Sequence, residues 1–362
     1  MSRSSKEPIV IVASAEFVLK SSPVRRSMEQ RLIDDLKFAL RKAGFENAKL
    51  KKIAGRIIIN GITDTPTAAT ICSKVFGVAY ASPAMKVECL PAVIKATITQ
   101  TAKDVLLSGQ SFAIRCHRSS PSVVSTRAIE IESGTEVLKA LHERNIRVKL
   151  NHPDQLISAD LFEESAYVYA KKVSGPGGLP ISSQWKMLAL LDCGPLSIFA
   201  AYVMMRRGCL VQLLIPPHSA HATTDLKLDL ARKLRNLVTR EKYNALVMNV
   251  GPATQPKQSI RLTSIDIARK KRFKGIIFAD VDGPISPSLL LSVKSREVGL
   301  PIFQPLMGFD RQDLNELCGL FGIGWEEVDA ELSHEKSTST ESLLPSEPLS
   351  WTLEEVSLEC DA

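Results

Sequence analysis

The stretch that decides the fold reads Lys186-Met-Leu-Ala-Leu-Leu-Asp-Cys-Gly-Pro-Leu-Ser-Ile-Phe-Ala-Ala-Tyr-Val-Met-Met-Arg-Arg-Gly208. Its apolar run from Met187 to Leu191 has no polar alternation, which predicts a buried parallel strand. Apolar residues then recur at helical spacing from Ile198, and two arginines followed by Gly208 are a helix stop signal. A strand, a short turn containing Gly194 and a helix form the layout in which a helix N-terminus can hold phosphate.

The same alternation of strand and helix continues downstream. It predicts a doubly wound parallel sheet with helices on both faces and any ligand at the carboxyl ends of the strands. The predicted strands are Lys186–Leu191, Leu210–Ile215, Ala245–Asn249, Gly275–Phe278 and Pro301–Pro305. The predicted helices are Ile198–Arg207, Leu226–Arg240, Ile260–Lys271, Ser288–Val298 and Arg311–Phe321.

Upstream of this region the pattern changes to α+β. A strand at Ile9–Val12, a helix at Arg31–Ala43 and a strand at Ile57–Ile59 predict a small ferredoxin-like unit. A second α+β unit follows, and its segment Ser111–Arg118 alternates as a half-buried strand with a basic outer face. The remaining predicted elements of that unit are helices at Thr67–Val75, Pro91–Leu107 and Ile129–Leu141 and strands at Val148–Leu150, Gln155–Leu161 and Glu164–Ala170.

Charge is distributed unevenly along the 362 residues, of which 44% are hydrophobic. Residues 326–362 carry a net charge of −10, so the rest of the chain carries +17, which predicts a polyanionic partner. Lys20, Arg25 and Arg26 fall in a loop rich in Ser and Pro and are predicted to contact phosphate, although a solvated turn is the simpler alternative. From Ser333 onward the composition predicts disorder, with a short docking helix around Trp351.

Several classes of site and location are disfavoured by the sequence. The seven cysteines have no C-x-x-C spacing, which argues against a zinc ribbon, an iron–sulfur cluster and a disulfide framework. His117, His142 and His152 have no cysteine or carboxylate partner at a ligand spacing, and no metal site and no catalytic residue are assigned. Neither a signal peptide nor a membrane-spanning apolar run is visible, and we therefore expect a cytoplasmic protein without membrane contact.

Three motifs resemble one known family. They are Lys74-Val-Phe-Gly-Val78, Ser111-Phe-Ala-Ile-Arg-Cys-His-Arg118 and Val168-Tyr-Ala-Lys-Lys-Val-Ser-Gly-Pro-Gly-Gly-Leu-Pro180. In this order they resemble the THUMP domain and exit of the tRNA sulfurtransferases that make 4-thiouridine, the ThiI family. The resemblance implies a ferredoxin-like domain over 1–62, a THUMP domain over 63–173, a PP-loop ATPase-like domain over 174–330 and an acidic tail over 331–362. It also implies tRNA as partner and places Arg115, Arg118 and Arg127 in the basic THUMP segment.

The turn after the first strand departs from the family pattern. Where the family has Ser-Gly-Gly-x-Asp-Ser to hold ATP and magnesium, this chain has Asp192, Cys193, Gly194, Pro195, Leu196 and Ser197. Asp192 would repel phosphate, Cys193 crowds the approach of an anion, and Pro195 lacks a backbone N–H donor. Leu196 removes the carboxylate that would anchor magnesium. The turn is therefore interpreted as a degenerate nucleotide site that still starts a helix.

The sulfur-carrying cysteine of the family also has no counterpart. Ile323–His334 contains no cysteine, and Cys318 lies inside a predicted helix. The main hypothesis is a tRNA-binding protein without thiolation activity or a cofactor, assisting a tRNA-modifying enzyme or a sulfur-transfer protein. The alternative is an active ATP- and magnesium-dependent tRNA sulfurtransferase, for 4-thiouridine or thiamine-related sulfur transfer. A scaffold acting through its acidic tail is the third hypothesis, and homodimer formation is left open.

Overall fold

A computed structural model describes residues 6–14, 16, 20–118, 125–192, 194–217, 223–238, 243–250, 257–281, 299–338 and 350–358. The predicted helix at 288–298 therefore lies outside the described residues. The chain divides into one unit over 1–177 and a second over 178–362. Among the described helices, none is both long enough and apolar enough to cross a membrane.

The first unit is built on a nine-stranded sheet, and its strands follow the order β2-β3-β1-β4-β8-β7-β5-β6, with β9 also paired to β4. The strands are β1 (Glu7–Ser14), β2 (Lys49–Ile53), β3 (Arg56–Asn60), β4 (Val78–Glu88), β5 (Ser111–Arg118), β6 (Arg147–Val148), β7 (Gln155–Leu161), β8 (Ser165–Tyr169) and β9 (Val173–Ser174). The helices are α1 (Ser22–Lys42), α2 (Thr65–Ser73), α3 (Pro91–Val105) and α4 (Thr126–Ala140).

Strand β4 joins the two predicted α+β regions in this one sheet. It pairs with β1 along most of its length, from Val78 to Lys86, and with β8 through Met85 to Glu88. Apolar residues of β1 and β3, such as Ile9 and Ile58, share a core cluster with Tyr167 and Tyr169 of β8. The ferredoxin-like and THUMP-like regions thus have a continuous hydrogen-bonded framework.

The second unit is the predicted parallel sheet. Its strand order is β14-β13-β10-β11-β12-β15, and the first five strands are parallel. The strands are β10 (Lys186–Leu190), β11 (Leu210–Ile215), β12 (Asn244–Val250), β13 (Ile276–Ile277), β14 (Ile302–Phe303) and β15 (Trp351–Ser357). The helices are α5 (Pro195–Arg206), α6 (Thr224–Arg235), α7 (Lys257–Lys270), α8 (Arg311–Phe321) and α9 (Trp325–Thr338). The predicted fold class is confirmed.

The C-terminal segment differs from its prediction. Residues Trp351–Ser357 form an edge strand antiparallel to β12, not a docking helix in a disordered tail, and α9 extends to Thr338. Trp351 and Leu353 turn their apolar side chains to the core of the unit, whereas Thr352 and Glu354 are exposed. This alternation has a strand period, and the open edge of β12 supplies the hydrogen-bond partners that composition alone does not reveal.

Candidate functional site

The turn after β10 connects directly to the N-terminus of α5. Gly194 is the residue before the helix, Pro195 occupies its first turn, and Cys193 lies outside the described residues. Leu196 and Ser197 are buried. The predicted strand, turn and helix are confirmed, and the backbone N–H groups of Gly194 and Leu196 point out of the helix, as at any helix N-terminus.

A carboxylate of the chain itself binds these amides. Glu331 of α9 accepts hydrogen bonds from the backbone nitrogens of Gly194, at 2.7 Å to Oε1, and of Leu196, at 3.1 Å to Oε2. The fit is close, because a Cβ added at Gly194 would lie 3.1 Å from Glu331 Oε2. An anion is favoured at a helix N-terminus by the dipole and by the unsatisfied donors, and here a side chain supplies that anion.

A second polar network covers the carboxyl ends of β10, β13 and β14. Arg261 of α7 donates to Asp192 Oδ2 at 3.2 Å and to Asp280 Oδ1 at 2.7 Å, and its guanidinium lies 4.8 Å from the centre of the Phe278 ring. Gln304 donates to Asp280 Oδ2 at 2.9 Å. The side chains of Arg261 and Asp192 are only 10% and 4% exposed, so the charges are paired where water is largely excluded.

This network alters the role expected of Asp192. Its carboxylate does not stand as an isolated charge against an incoming phosphate, because Arg261 is paired with it. Neither Glu331 nor Arg261 was assigned to this site from the sequence. Glu331 lies 137 residues beyond Gly194, and the only sequence signal for Arg261 is its place in a basic region after β12.

The described cysteines are not poised as nucleophiles. Burial raises the pKa of the Cys72 thiol to about 12, and burial with nearby Glu130 and Asp160 raises that of Cys116 to about 12. Burial also raises the pKa of Cys318, which lies on α8 and is buried, as predicted. Within the described ranges no cluster of three or more His, Cys, Asp or Glu side chains is arranged to hold a metal ion.

The predicted N-terminal phosphate contacts lie partly on a helix. Lys20 is in an exposed bend, but Arg25 and Arg26 belong to the first turns of α1, which starts nine residues earlier than the predicted helix. The prediction of one loop holding all three residues is wrong because Pro23 fits the first turn of a helix and initiates α1. Arg26 is exposed, whereas Arg25 is half-buried and lies 4.0 Å from Glu29.

The three arginines predicted to contact RNA in the THUMP-like region differ in their exposure and hydrogen bonding. Arg118 ends β5, and Arg127 is exposed in the first turn of α4. Arg115 is half-buried, and its guanidinium donates to the carbonyl of Leu150 at 2.9 Å. Ala113, expected on the outer face of β5, is buried. The outer basic face is therefore confined to the end of this strand.

Comparisons with known proteins relate both units to one group. The model of the ThiI ferredoxin-like domain matches residues 9–82, and the THUMP domain model matches residues 92–171. A probable tRNA sulfurtransferase from Methanosarcina mazei is 27% identical over an alignment of 338 residues that covers 87% of this chain and 82% of the relative. The tRNA sulfurtransferase from Pyrobaculum aerophilum is 27% identical over 84% of this chain and 65% of its own.

Two solved structures share the fold. The crystal structure of a 4-thiouridine synthetase–RNA complex with bound ATP superposes with a TM-score of 0.69 at 18% identity, covering 97% of this chain and 100% of the other. That of PH1313 from Pyrococcus horikoshii gives 0.67 at 23% identity, covering 87% and 100%. At these identities the likeness concerns the fold.

Proposed function

This chain is a homologue of the tRNA sulfurtransferases with a ThiI ferredoxin-like domain and a THUMP domain, and from that premise we propose that it binds tRNA in the cytoplasm without thiolating it. In this proposal the first unit binds the RNA. The second unit no longer binds a nucleotide, because a carboxylate of the chain itself occupies the turn at Gly194. A separate tRNA-modifying enzyme or sulfur-transfer protein then acts on the bound tRNA.

The observation that carries the proposal is the carboxylate of Glu331 on the amides of Gly194 and Leu196. A hydrogen bond to a charged group contributes about 1.5–3 kcal/mol, so a phosphate must displace two strong contacts before it can bind. The departing carboxylate would remain nearby and repel the incoming anion. ATP and magnesium therefore fit this turn poorly, since Leu196 also supplies no carboxylate for the metal.

Two observations support tRNA as the partner: the positive charge of the chain and its similarity to tRNA sulfurtransferases. Arg26 and Arg127 are exposed in the two matched domains, and the net charge of residues 1–325 is +17. Cations of this kind neutralise phosphates and release condensed counterions, which makes binding dependent on salt. The fold is shared with a structure described as an RNA complex.

Two titrations test the proposal with the full chain. Unfractionated tRNA should bind with an affinity that falls steeply between low and moderate salt, because phosphate contacts dominate. MgATP, added in a calorimeter with and without tRNA, should give no binding heat. The 4-thiouridine synthetase whose crystal structure holds ATP serves as the positive control for nucleotide binding. An absence of any tRNA affinity at low salt would end the proposal.

A second candidate is an active ATP-dependent tRNA sulfurtransferase. The observation in its favour is that relatives with this name align over 84–87% of the chain. This function requires Glu331 to leave the turn when nucleotide arrives, together with magnesium and a thiol supplied by a partner or by Cys193 or Cys360, which lie outside the described residues. Pyrophosphate exchange that depends on tRNA, together with 4-thiouridine absorbance in the recovered tRNA, would select this candidate over the first.

A further inference from the structure

The edge of the second sheet that faces away from the Gly194 turn carries a group of exposed cations. In a parallel sheet the strand starts and the helix ends share one edge, which is here the amino edge. Two backbone hydrogen bonds bring its segments side by side, from Leu210 N to Trp185 O at 3.1 Å and from Lys274 N to Lys186 O at 2.9 Å. Sequence-distant basic residues are therefore neighbours at this edge.

We call this group the amino-edge patch. It consists of one aromatic and six basic residues, all exposed, namely Trp185, Lys186, Arg206, Arg207, Lys271, Arg272 and Lys274. None of its cations forms an ion pair with a carboxylate in the part of the chain that the structure describes. The sequence explains why, since it has no acidic residue between Glu164 and Asp192, or between Asp266 and Asp280.

Stabilisation of helix C-termini explains the presence of only some of the cations in this patch. Arg206, Arg207 and Lys271 lie at the C-termini of α5 and α7, where cations interact favourably with the helix dipole. Lys186 and Lys274 belong to strand starts instead, and the Lys186 ammonium lies 4.9 Å from the centre of the Phe273 ring. Helix ends also give no reason for a tryptophan among these cations, and Trp185 is 58% exposed.

An exposed indole within a field of unpaired cations matches the chemistry of single-stranded nucleic acid. Bases stack on aromatic rings whatever their sequence, and the phosphates between them follow a positively charged surface. The Trp185 ring offers one stacking platform, and the cations on both sides of it offer the phosphate contacts. The carboxylates of an acidic protein would pair with the cations but would not stack on the exposed ring.

We propose that the amino-edge patch binds a single-stranded segment of RNA, with one base stacked on Trp185 and neighbouring phosphates on its cations. The inference rests on the proposed function, in which tRNA is the partner that brings such a segment to this unit. It adds an RNA contact outside the two matched domains, at the edge of the sheet opposite the closed nucleotide turn.

The stacking contact is tested with Trp185→Ala and Trp185→Phe in the full chain. The probe is an oligoadenylate of about 12 nucleotides, within the range that one binding groove accepts. Trp185→Ala should weaken binding roughly 5- to 150-fold, and Trp185→Phe should retain most of the affinity because the ring is kept. The parent should also lose tryptophan fluorescence on binding. Equal affinities of parent, Ala and Phe variants would overturn the stacking contact.

The phosphate contacts are tested with Arg207→Ser, Arg272→Asn and Lys274→Ser. Asn suits position 272 because the backbone there is left-handed, with φ of 59°. Each substitution should lower the slope of log affinity against log salt by about 0.7, the value for one contact to a single strand. The matched control is Arg311→Ser at the start of α8, on the carboxyl edge, which should leave the slope unchanged. An unchanged slope in all three patch variants would overturn the proposal.

The two proposals fail in different ways. If the parent binds neither tRNA nor the oligoadenylate, the proposed function fails together with the patch. If the parent binds both while every patch variant matches it, only the patch fails. If the variants retain RNA affinity but lose binding to vesicles rich in anionic lipid, the surface belongs to a membrane partner and the RNA assignment is overturned.

Discussion

The indole nitrogen of Trp351 donates a 3.1 Å hydrogen bond to Oδ2 of Asp266. This bond connects β15 to α7, and Lys270 contacts both the donor and the acceptor residue. The Lys270 ammonium lies 2.9 Å from the same Asp266 oxygen and 5.1 Å from the centre of the Trp351 ring. The last strand of the sheet is thus held by a titratable group.

Attachment of β15 should therefore depend on pH. Burial alone would raise the pKa of Asp266, but the hydrogen bonds from Lys270 and Trp351 and the charges of Lys270 and Arg269 together leave that pKa below its ordinary value. A carboxyl group with a lowered pKa in the folded state stabilises the fold above the unfolded value, near 4, and loses this contribution as the pH falls through the folded pKa. We expect a red shift of Trp351 fluorescence below about pH 4, absent in Asp266→Asn. A shift that persists in Asp266→Asn would assign it to another group.

Replacing Glu331 should open an anion site at the start of α5. Glu331→Ala leaves the amides of Gly194 and Leu196 without their acceptor, which should cost about 1–3 kcal/mol of unfolding free energy. Pyrophosphate should then raise the Tm of Glu331→Ala more than that of the parent, because it replaces the lost carboxylate. The control is Asp329→Ala, which removes an exposed charge from the same helix. Equal pyrophosphate effects on all three proteins would contradict this prediction.

Removing Arg261 from the polar network at the carboxyl ends of β10, β13 and β14 should destabilise the second unit. Arg261→Met removes the cation that Asp192 and Asp280 share, and the loss of one partner of a largely buried ion pair costs about 3–5 kcal/mol. Adding Asp192→Asn to that variant should recover part of the loss, since one uncompensated charge disappears. Urea unfolding measures both changes. If the double variant is less stable than Arg261→Met, charge compensation is not the role of Arg261.

The basic residues predicted to contact RNA should not contribute equally. Arg26→Ala and Arg127→Ala should each lower the salt slope of tRNA binding by about 0.7–0.9, because both side chains are exposed. Arg115→Ala should change this slope less and instead lower the stability of the first unit, since the Arg115 guanidinium is bonded to the Leu150 carbonyl. Filter binding across a salt series and urea unfolding separate the two effects. Equal slopes for all three variants would show that exposure is the wrong criterion.

Local patterns predicted most of the fold. The apolar run after Lys186 forms β10, and the helical spacing after Pro195 forms α5, because both signals depend on neighbours within a few residues. The edge strand at Trp351–Ser357 was missed because its acidic composition masked a weak alternation. Its pairing partner, β12, also lies far away in the sequence.

The residues that contact the turn in the candidate site could not be predicted from the sequence. The substitutions in the turn predicted altered phosphate chemistry, but they did not indicate that Glu331 accepts hydrogen bonds from its amides. Glu331 reaches Gly194 across 137 residues, and no local pattern marks a surface glutamate as the partner of a distant helix. Arg261 likewise becomes the partner of Asp192 only once α7 crosses the sheet. Such pairs follow from topology and packing, which a single sequence does not encode in any short window.

The antiparallel pairing of β15 with β12 also bears on how the protein is made. A ribosome must translate the whole stretch from residue 251 to residue 350 before the strand that covers β12 exists. Until then the nascent chain presents a bare strand edge, which other polypeptides can join. Chaperone protection during synthesis matters most in that interval, and expression without the last strand should favour inclusion bodies.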